Sequence, residues 1–286
     1  MTTLHYGYHI IIMIPEDYQY HTHRIYCSRR NEMRLDKYLA DMGIGTRSEL
    51  KKAIRAKAVT VNAETVRDPA FHVSENDMVC FQGRPVKYES FVCYMLHKPA
   101  GIISASADSR EKTVVDLITD GPRKDLFPVG RLDRDTEGLL LITNDGALAH
   151  RLLSPKHHVD KTYLAVVSGA VTAEDITAFR DGIRLADGTL CRPAALELVT
   201  PDEIADPAVK DFFDRLCHSL TVTAVRVTIH EGKFHQIKRM FLARGKEVLY
   251  LKRISMGSLT LDPDLPAGSF RRLTDSELEM LQQYRV

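Results

Sequence analysis

The pattern of apolar residues along the chain becomes β-rich at Phe91. Before that point, apolar positions recur every three or four residues, which predicts two short helices separated by Gly43 and Gly45. Either Thr46 or Ser48 can cap the second helix. A short β segment, VTVNAETV, follows the helices. The apolar positions are Leu35, Tyr38, Leu39 and Met42 in the first helix and Leu50, Ala53 and Ile54 in the second.

Continuous apolar and β-branched runs begin at Phe91 and predict buried strands. FVCYML, LFPV and LLLIT are such runs, and the NDG that follows LLLIT is typical of a hairpin turn. The polar stretch GRPVKYES at residues 83–90 precedes the change and is interpreted as a linker. A chain of 286 residues, 44% of them hydrophobic, is long enough for two domains that each bury a core.

The second half of the chain alternates helical and β patterns. Residues 171–183 and the stretch DPAVKDFFDRLCHSL are predicted helices, and VTAVRVTIHEG is a predicted strand. This strand leads into KFHQIKRMFLARG, a further predicted helix. We expect its inward face to carry Phe234, Ile237, Phe241 and Leu242, with Lys238 and Arg239 at the margin.

A polar island, GRLDRDTEG, separates LFPV from LLLIT and holds two aspartates. Asp133 and Asp135 are therefore predicted on a loop between two buried strands, which is a rigid scaffold for a chemical group. Aspartates in turns also commonly bond the N–H groups of their own loop. Spacing alone does not decide between these two roles.

The charge distribution points to a polyanionic partner. The net charge is only +1, but residues 34–57 carry seven Lys and Arg against three acids, and residues 226–253 carry eight against two. A single basic run is most often a solvated helix face. Two such runs on a neutral background favour a polyanionic partner.

Other site classes find little support in the sequence. The five cysteines are widely spaced and form no C-x-x-C pair, which is typical of a reducing cytoplasm and does not indicate a disulfide framework. The adjacent His157 and His158 do not have the spacing of metal ligands, so no metal site is expected. The early apolar run HIIIMIP is too short for a membrane span and lacks the flanks of a signal peptide.

The first half of the chain resembles the S4 RNA-binding domain across residues 33 to about 86. The opening R-L-D-K-Y-L and the step A-V-T-V-N into a strand carry the resemblance. It implies a module that docks on RNA through phosphate contacts, which position a protein without reading sequence. The residues expected to make these contacts are Arg34, Arg47, Lys51, Lys52 and Arg55.

Four motifs follow in order: HKPAG, FPVGRLDRDTEGLLLITNDG, DKTYLA and EGKFHQIKRMF. Together they closely resemble the RsuA family of ribosomal RNA pseudouridine synthases, across residues 33 to about 275. The resemblance implies an α+β fold. A small S4-like domain (33–86) and a linker (87–90) precede a synthase domain (91–286), which is built on a mostly antiparallel mixed sheet with flanking helices. SPKHHVDKTY is most similar to the small-subunit branch, which modifies 16S rRNA.

The resemblance implies an isomerisation of uridine that uses no metal and no cofactor. Asp133 would be the catalytic carboxylate, either as a nucleophile or as a base on the ribose. A carboxylate serves only when ionised, which a neighbouring cation favours, and that cation maps to Lys238. Many relatives have arginine there, so a point-charge pair is expected. Tyr163 would stack on the uracil and relay its proton, and Arg131 would support the loop or replace the flipped base. Asp135 is expected to be dispensable.

The resemblance also implies the partners and the compartment. The substrate would be 16S rRNA, alone or in a partly assembled small-subunit particle, bound by a cytoplasmic monomer that contacts no membrane. Further RNA contacts are expected from Lys161, Lys233 and Arg239. A 23S rRNA synthase and a non-catalytic S4-type assembly protein remain as alternatives. Residues 1–32 match nothing in the family and are predicted to be a disordered extension or a mis-assigned start, so a chain beginning at Met33 should be as active.

Overall fold

The computed structural model describes residues 32–74, 76–122, 124–154 and 156–283, which cluster into two compact units. The first unit holds the described residues up to Ala40 together with Gly45–Tyr88. The second holds Glu89 onward together with Asp41–Ile44. The predicted N-terminal extension lies outside the described residues, except for Glu32.

The first unit packs two helices with small antiparallel sheets. Thr46 caps the second helix through a capping box with Glu49, so the choice between Thr46 and Ser48 falls on Thr46. Leu50 and Ile54 are buried on the inner face of this helix. The elements are β1 (Met33–Arg34), α1 (Leu35–Asp41), α2 (Arg47–Arg55), β2 (Val59–Val61), β3 (Glu64–Thr65), β4 (His72–Val73), β5 (Val79–Phe81) and β6 (Arg84–Val86).

The second unit is built around one large sheet. Its strands are β7 (Cys93–Lys98), β8 (Phe127–Pro128), β9 (Glu137–Thr143), β10 (Lys161–Ser168), β11 (Ala195–Val199), β12 (Val222–Ile229), β13 (Val248–Met256), β14 (Leu259–Thr260) and β15 (Phe270–Arg272). Its helices are α3 (Gly146–Leu153), α4 (Ala173–Asp181), α5 (Pro207–Cys217), α6 (Gln236–Leu242) and α7 (Asp275–Gln282), with 3₁₀ turns at Val115–Leu117 and Pro201–Glu203.

The sheet is mixed and mostly antiparallel, which confirms the predicted fold class. The strand order is β11-β12-β10-β13-β9-β7-β15, with β14 paired to β13 and β8 paired to β9. The pairing of β13 with β9 is parallel, whereas the other pairings described for this sheet are antiparallel. This parallel pairing brings the strand after the polar island beside a strand from the end of the chain.

Both faces of the central strands are covered, which explains the continuous apolar run LLLIT. Leu140 and Ile142 belong to one buried cluster, whereas Leu139 and Leu141 belong to the other. Helices α4 and α6 pack on the first face and α3 and α7 on the second. A strand buried on both faces has no polar alternation. The ends of β7, β9, β10 and β13 are thereby held in a rigid frame.

The structure corrects three local predictions. Residues 84–86 are not linker but form β6, which pairs with β5. NDG is not a hairpin turn, because the Asp145 carboxylate accepts two backbone N–H groups and starts α3. Phe234 and Leu242 do not face inward and are 71% and 68% exposed; Phe234 precedes α6, which begins only at Gln236, and Leu242 is its last residue. In the described part of the chain, no helix is long and apolar enough to cross a membrane.

Candidate functional site

The loop between β8 and β9, residues 129–136, is fixed along its length by hydrogen bonds. The Val129 N–H donates to the Leu141 carbonyl at 2.8 Å. Ser104 and Leu132 bond each other twice: the Ser104 hydroxyl donates to the Leu132 carbonyl at 2.8 Å, and the Leu132 N–H donates to the Ser104 oxygen at 3.1 Å. The Thr136 N–H closes a turn on the Asp133 carbonyl at 3.1 Å. Asp133 therefore projects from a loop of defined conformation.

A buried ammonium group lies beneath this loop. Lys98, from the HKPAG motif, has no exposed surface, and its Nζ donates to the carbonyls of Arg134 at 3.1 Å and Thr136 at 2.9 Å, and to that of Pro99. Burial lowers the pKa of Lys98 to about 8, although the carboxylates of Glu137, Asp135 and Asp133 oppose this shift. The side chain connects β7 to both ends of the Asp133 turn.

Lys238 lies between the two aspartates of the loop. Its Nζ is 3.2 Å from Asp133 Oδ2 and 2.5 Å from Asp135 Oδ1. The Asp133 side chain is about one quarter exposed, whereas that of Asp135 is 72% exposed. His235 also approaches Asp133, with Nε2 3.5 Å from Oδ1. The predicted Asp133–Lys238 pair is thus present, and it is shared with Asp135.

Asp135 is held in its charged form. Partial burial opposes ionisation, but the hydrogen bond and the charge of Lys238 outweigh it, so the pKa of Asp135 lies below its usual value. The charged Asp135 gives the Lys238 ammonium a second carboxylate partner. The contact positions Nζ beside Asp133.

The segment that leads into α6 has its own polar anchor. The Gln236 side chain is buried, accepts from the Lys233 N–H at 3.0 Å and donates to Glu231 at 2.8 Å. Lys233 also forms an ion pair with Glu231. His235, the residue before the helix, adopts the left-handed conformation with φ of 48°. This bend places His235 and Lys238 on the same side, toward Asp133.

Tyr163 and Asp133 share a cavity. The tyrosine is 7% exposed on β10 and lines, with Asp133 and Arg131, a cavity of about 560 Å³. Arg131 is exposed at its margin. Cavities of this size are typical of small-molecule and cofactor sites, where they enclose most of a ligand. The structure therefore brings all four predicted catalytic residues, Asp133, Tyr163, Lys238 and Arg131, to one place.

The predicted RNA contacts fall into two groups. Helix α2 exposes a row of basic side chains, and the exposed Arg34 is bidentate on the buried Asp36. In the second unit, Lys161 is 7% exposed and Arg239 bonds Asp187 at 2.5 Å. Lys161 therefore lies inside the cavity and not on an open RNA-facing surface. The exposed α2 positions are Arg47, Lys51, Lys52 and Arg55.

Three site residues had not been singled out from the sequence. Lys98 was visible within HKPAG, and His235 within the last motif, but neither motif shows that its residue points at the loop. Arg253 belongs to the basic run of residues 226–253 but to none of the motifs, yet it is 2% exposed and lines the same cavity. Only the pairing of distant strands brings it there.

The arrangement suits general acid–base or nucleophilic chemistry on a ligand small enough for the cavity. It combines a partly buried carboxylate with a cation at hydrogen-bond distance and an aromatic ring in the same cavity. In the described residues, no three His, Cys, Asp or Glu side chains converge in a way that could hold a metal ion. Such a site can attack or deprotonate a ligand that enters the cavity and can pack an aromatic ring against it.

Comparison with known families gives two matches. Residues 92–243 match the family described as RNA pseudouridylate synthase, and residues 33–79 match the S4 domain. The first match contains Asp133, Tyr163 and Lys238, and the second contains the basic helix α2.

Similar proteins cover nearly the whole chain. The chain is 44% identical, over 88% of its length and 99% of the relative's, to YtzG of Bacillus subtilis (strain 168), named as an uncharacterized RNA pseudouridine synthase. It is 37% identical to ribosomal small subunit pseudouridine synthase A of Escherichia coli (strain K12), over 86% of this chain and 98% of the relative. A crystal structure of a pseudouridylate synthase, 35% identical, covers 87% of this chain and 99% of its own with a TM-score of 0.57.

Proposed function

The chain belongs to the RNA pseudouridylate synthase family, and we propose that it converts one uridine of 16S rRNA to pseudouridine with Asp133 as the catalytic carboxylate. The observation that carries the proposal is the position of Asp133, which lines a cavity together with Tyr163 and has Lys238 Nζ 3.2 Å from its carboxylate. That geometry supplies a carboxylate, its counter-charge and a platform for a base.

The reaction breaks one bond and forms another between the same two rings. The bond between N1 of uracil and C1′ of ribose breaks, the base turns, and C5 bonds C1′. The proton on C5 leaves and N1 gains a proton, so the product is an isomer of the substrate. Asp133 promotes the cleavage either as a nucleophile, whose bond to C1′ breaks when C5 attacks that carbon, or as a base that takes a proton from the ribose and later returns it. Lys238 stabilises the carboxylate in either case.

The remaining side chains bind the base and move its proton. Tyr163 stacks on the uracil and relays the proton that leaves C5. Arg131, exposed at the margin of the cavity, supports the loop or takes the place of the flipped base. No metal or cofactor enters this scheme, because the carboxylate and the tyrosine together account for the proton transfers.

The choice of 16S rRNA rests on the relatives. Synthases named for the small subunit match over 86% of this chain, which favours 16S over 23S rRNA. Membership of a synthase family argues against a purely structural S4-type assembly protein. The basic face of α2 would dock the substrate, as naked RNA or as an assembling particle, to a cytoplasmic monomer. We also assign residues 33–86 to RNA docking, 87–90 to the linker and 91–286 to catalysis.

The proposal is tested by mapping pseudouridine on rRNA from cells with and without this protein. One 16S position should lose the modification, and the purified protein should restore it on RNA or on assembling particles. The Asp133→Asn variant keeps the side-chain size, so it should bind RNA within a few-fold of wild type but form no detectable pseudouridine. Normal turnover by Asp133→Asn would remove Asp133 from the mechanism, and a change confined to 23S rRNA would replace the substrate.

A further inference from the structure

Two buried cations border the cavity that contains Asp133. Lys161 is 7% exposed and Arg253 is 2% exposed, and both line the cavity of about 560 Å³. A buried cation is ordinarily paired with a carboxylate, because transfer of an unpaired charge out of water is costly. In the described part of the chain, neither of these two forms an ion pair with an acidic side chain.

Their hydrogen-bonding capacity is largely unused. Arg253 donates its Nε–H to the Leu139 carbonyl at 2.7 Å, and its Nη2 is buried without a partner among the described residues. Lys161 donates from Nζ to the Val159 carbonyl at 2.8 Å, which leaves two further donor positions on the ammonium. The preceding residue, Asp160, forms its ion pair with His230, at 2.6 Å, and not with Lys161. The two cations therefore have unused hydrogen-bond donors and, among the described residues, no carboxylate paired with them.

The strand register places these cations around the tyrosine. Arg253 on β13 is directly opposite Tyr163 on β10, and Lys161 precedes Tyr163 by two residues on the same strand. Cross-strand partners on one face have Cβ atoms about 4.5–5.5 Å apart. The position of Arg253 is fixed from behind by Gly138, which has φ of 103° and whose missing Cβ would lie 2.2 Å from the Arg253 carbonyl oxygen. Only glycine allows this close pairing of β9 and β13.

We propose that Lys161 and Arg253 form a phosphate subsite, which binds a phosphodiester group of the nucleotide whose base stacks on Tyr163. This inference rests on the proposed function, because it assumes that the target uridine enters this cavity. In a nucleotide only the sugar separates the base from its phosphates, so cations that flank the ring of Tyr163 are within reach of one. The planar fork of arginine suits two phosphate oxygens, and the lysine adds a point charge.

An anion fits this pair better than the uracil carbonyls do. A carbonyl oxygen accepts hydrogen bonds but is neutral, so it leaves two buried positive charges uncompensated. Burial, with the charge of Arg253, lowers the pKa of Lys161 to about 8, although the charge of Asp160 opposes this shift. A bound phosphate would compensate the two buried positive charges. The cavity would therefore bind the flipped nucleotide more tightly than a free base.

The test compares uridine, uridine 3′-monophosphate, uridine 5′-monophosphate and inorganic phosphate as ligands of the full chain, by calorimetric titration. The wild type should bind one of the monophosphates about tenfold or more tightly than uridine, a factor that corresponds to about 1.4 kcal/mol. Lys161→Met and Arg253→Met should each remove most of that preference and leave uridine binding unchanged. Arg226→Met, an exposed arginine on β12 paired with Glu197, is the matched control and should keep it.

Three outcomes would overturn the subsite: equal affinity of the wild type for uridine and both monophosphates, inorganic phosphate binding as tightly as a monophosphate, or an unchanged preference in the variants. If the melting temperature shows that Arg253→Met does not fold, the comparison of ligands with the wild type and the Lys161→Met variant decide the question. The measurement requires no turnover. A phosphate preference without pseudouridine formation would refute the proposed function alone, whereas pseudouridine formation without the preference would refute this subsite alone.

Discussion

Replacement of Lys238 by methionine tests the electrostatic basis of the site. The substitution keeps a long unbranched side chain and removes the ammonium that lies 3.2 Å from Asp133 Oδ2 and 2.5 Å from Asp135 Oδ1. Two carboxylates of one loop then lose their shared cation. We expect RNA binding to change little and the chemical step to slow strongly.

The size of the effect follows from the burial of the pair. At 3.2 Å and an effective dielectric constant of about 20, two unit charges interact by about 5 kcal/mol. Lys238 and Asp133 are each about one quarter exposed, so solvent screening reduces this value. A net loss of about 2–4 kcal/mol is consistent with the removal of one partner from a partly buried charge pair. Since about 1.4 kcal/mol is a factor of ten, the rate should fall roughly 100-fold.

The assay is single-turnover pseudouridine formation at saturating RNA, followed by release of tritium from uridine labelled at C5. Lys238→Arg should keep much of the activity, because it preserves the charge. Asp135→Asn is the matched control: its amide oxygen still accepts from Lys238, and the lost charge is 72% exposed, so the cost should stay below about 1 kcal/mol. A wild-type rate for Lys238→Met would refute the reasoning. Equal losses in Lys238→Met and Asp135→Asn would show that Lys238 acts mainly through Asp135.

Three further changes probe other parts of the molecule. Tyr163→Phe should keep RNA affinity but slow the proton transfer from C5, whereas Tyr163→Leu should also lose about 1–3 kcal/mol of stacking; equal rates for both variants and wild type would contradict this. Lys98→Met removes the donor to three backbone carbonyls but also removes the cost of burying an ammonium group. The net free energy of unfolding, measured in urea, should fall by about 2–4 kcal/mol, and an unchanged midpoint would contradict this. Reversal of Arg47, Lys51 and Arg55 to glutamate should weaken RNA binding and flatten its salt dependence by about one unit of slope per lost phosphate contact, with a nearly unchanged single-turnover rate; wild-type affinity and slope would exclude α2 as the docking face.

Local physics explains which elements were predictable. Residues only a few positions apart determine where a helix forms and which face it buries. The sequence therefore predicted α1 and α2 together with their buried faces. The run LLLIT likewise predicted a strand buried on both faces, and the structure confirms it. Ordered motifs predicted the family, because each motif is a short contiguous segment.

Predictions failed where one local pattern fits two structures. An aspartate followed by glycine suits a hairpin turn and also the start of a helix, and the residues packed after Asp145 decided for α3. Residues 84–86 form a strand because β5 offers them hydrogen bonds, which their own composition did not reveal. The left-handed His235 delays the start of α6 and turns Phe234 outward.

By itself the sequence predicted which side chains would carry the chemistry, whereas their partners depended on the tertiary structure. Asp133, Tyr163 and Lys238 could be assigned from motifs, but the contact of Lys238 with Asp135 joins residues more than 100 positions apart. The burial of Lys98 beneath the loop and of Arg253 beside Tyr163 arises in the same way, from the pairing of β7, β9, β10 and β13. Exposure and charge compensation are properties of everything that surrounds a group in space. Exposure and charge compensation therefore cannot be predicted from the order of residues in a short stretch of sequence.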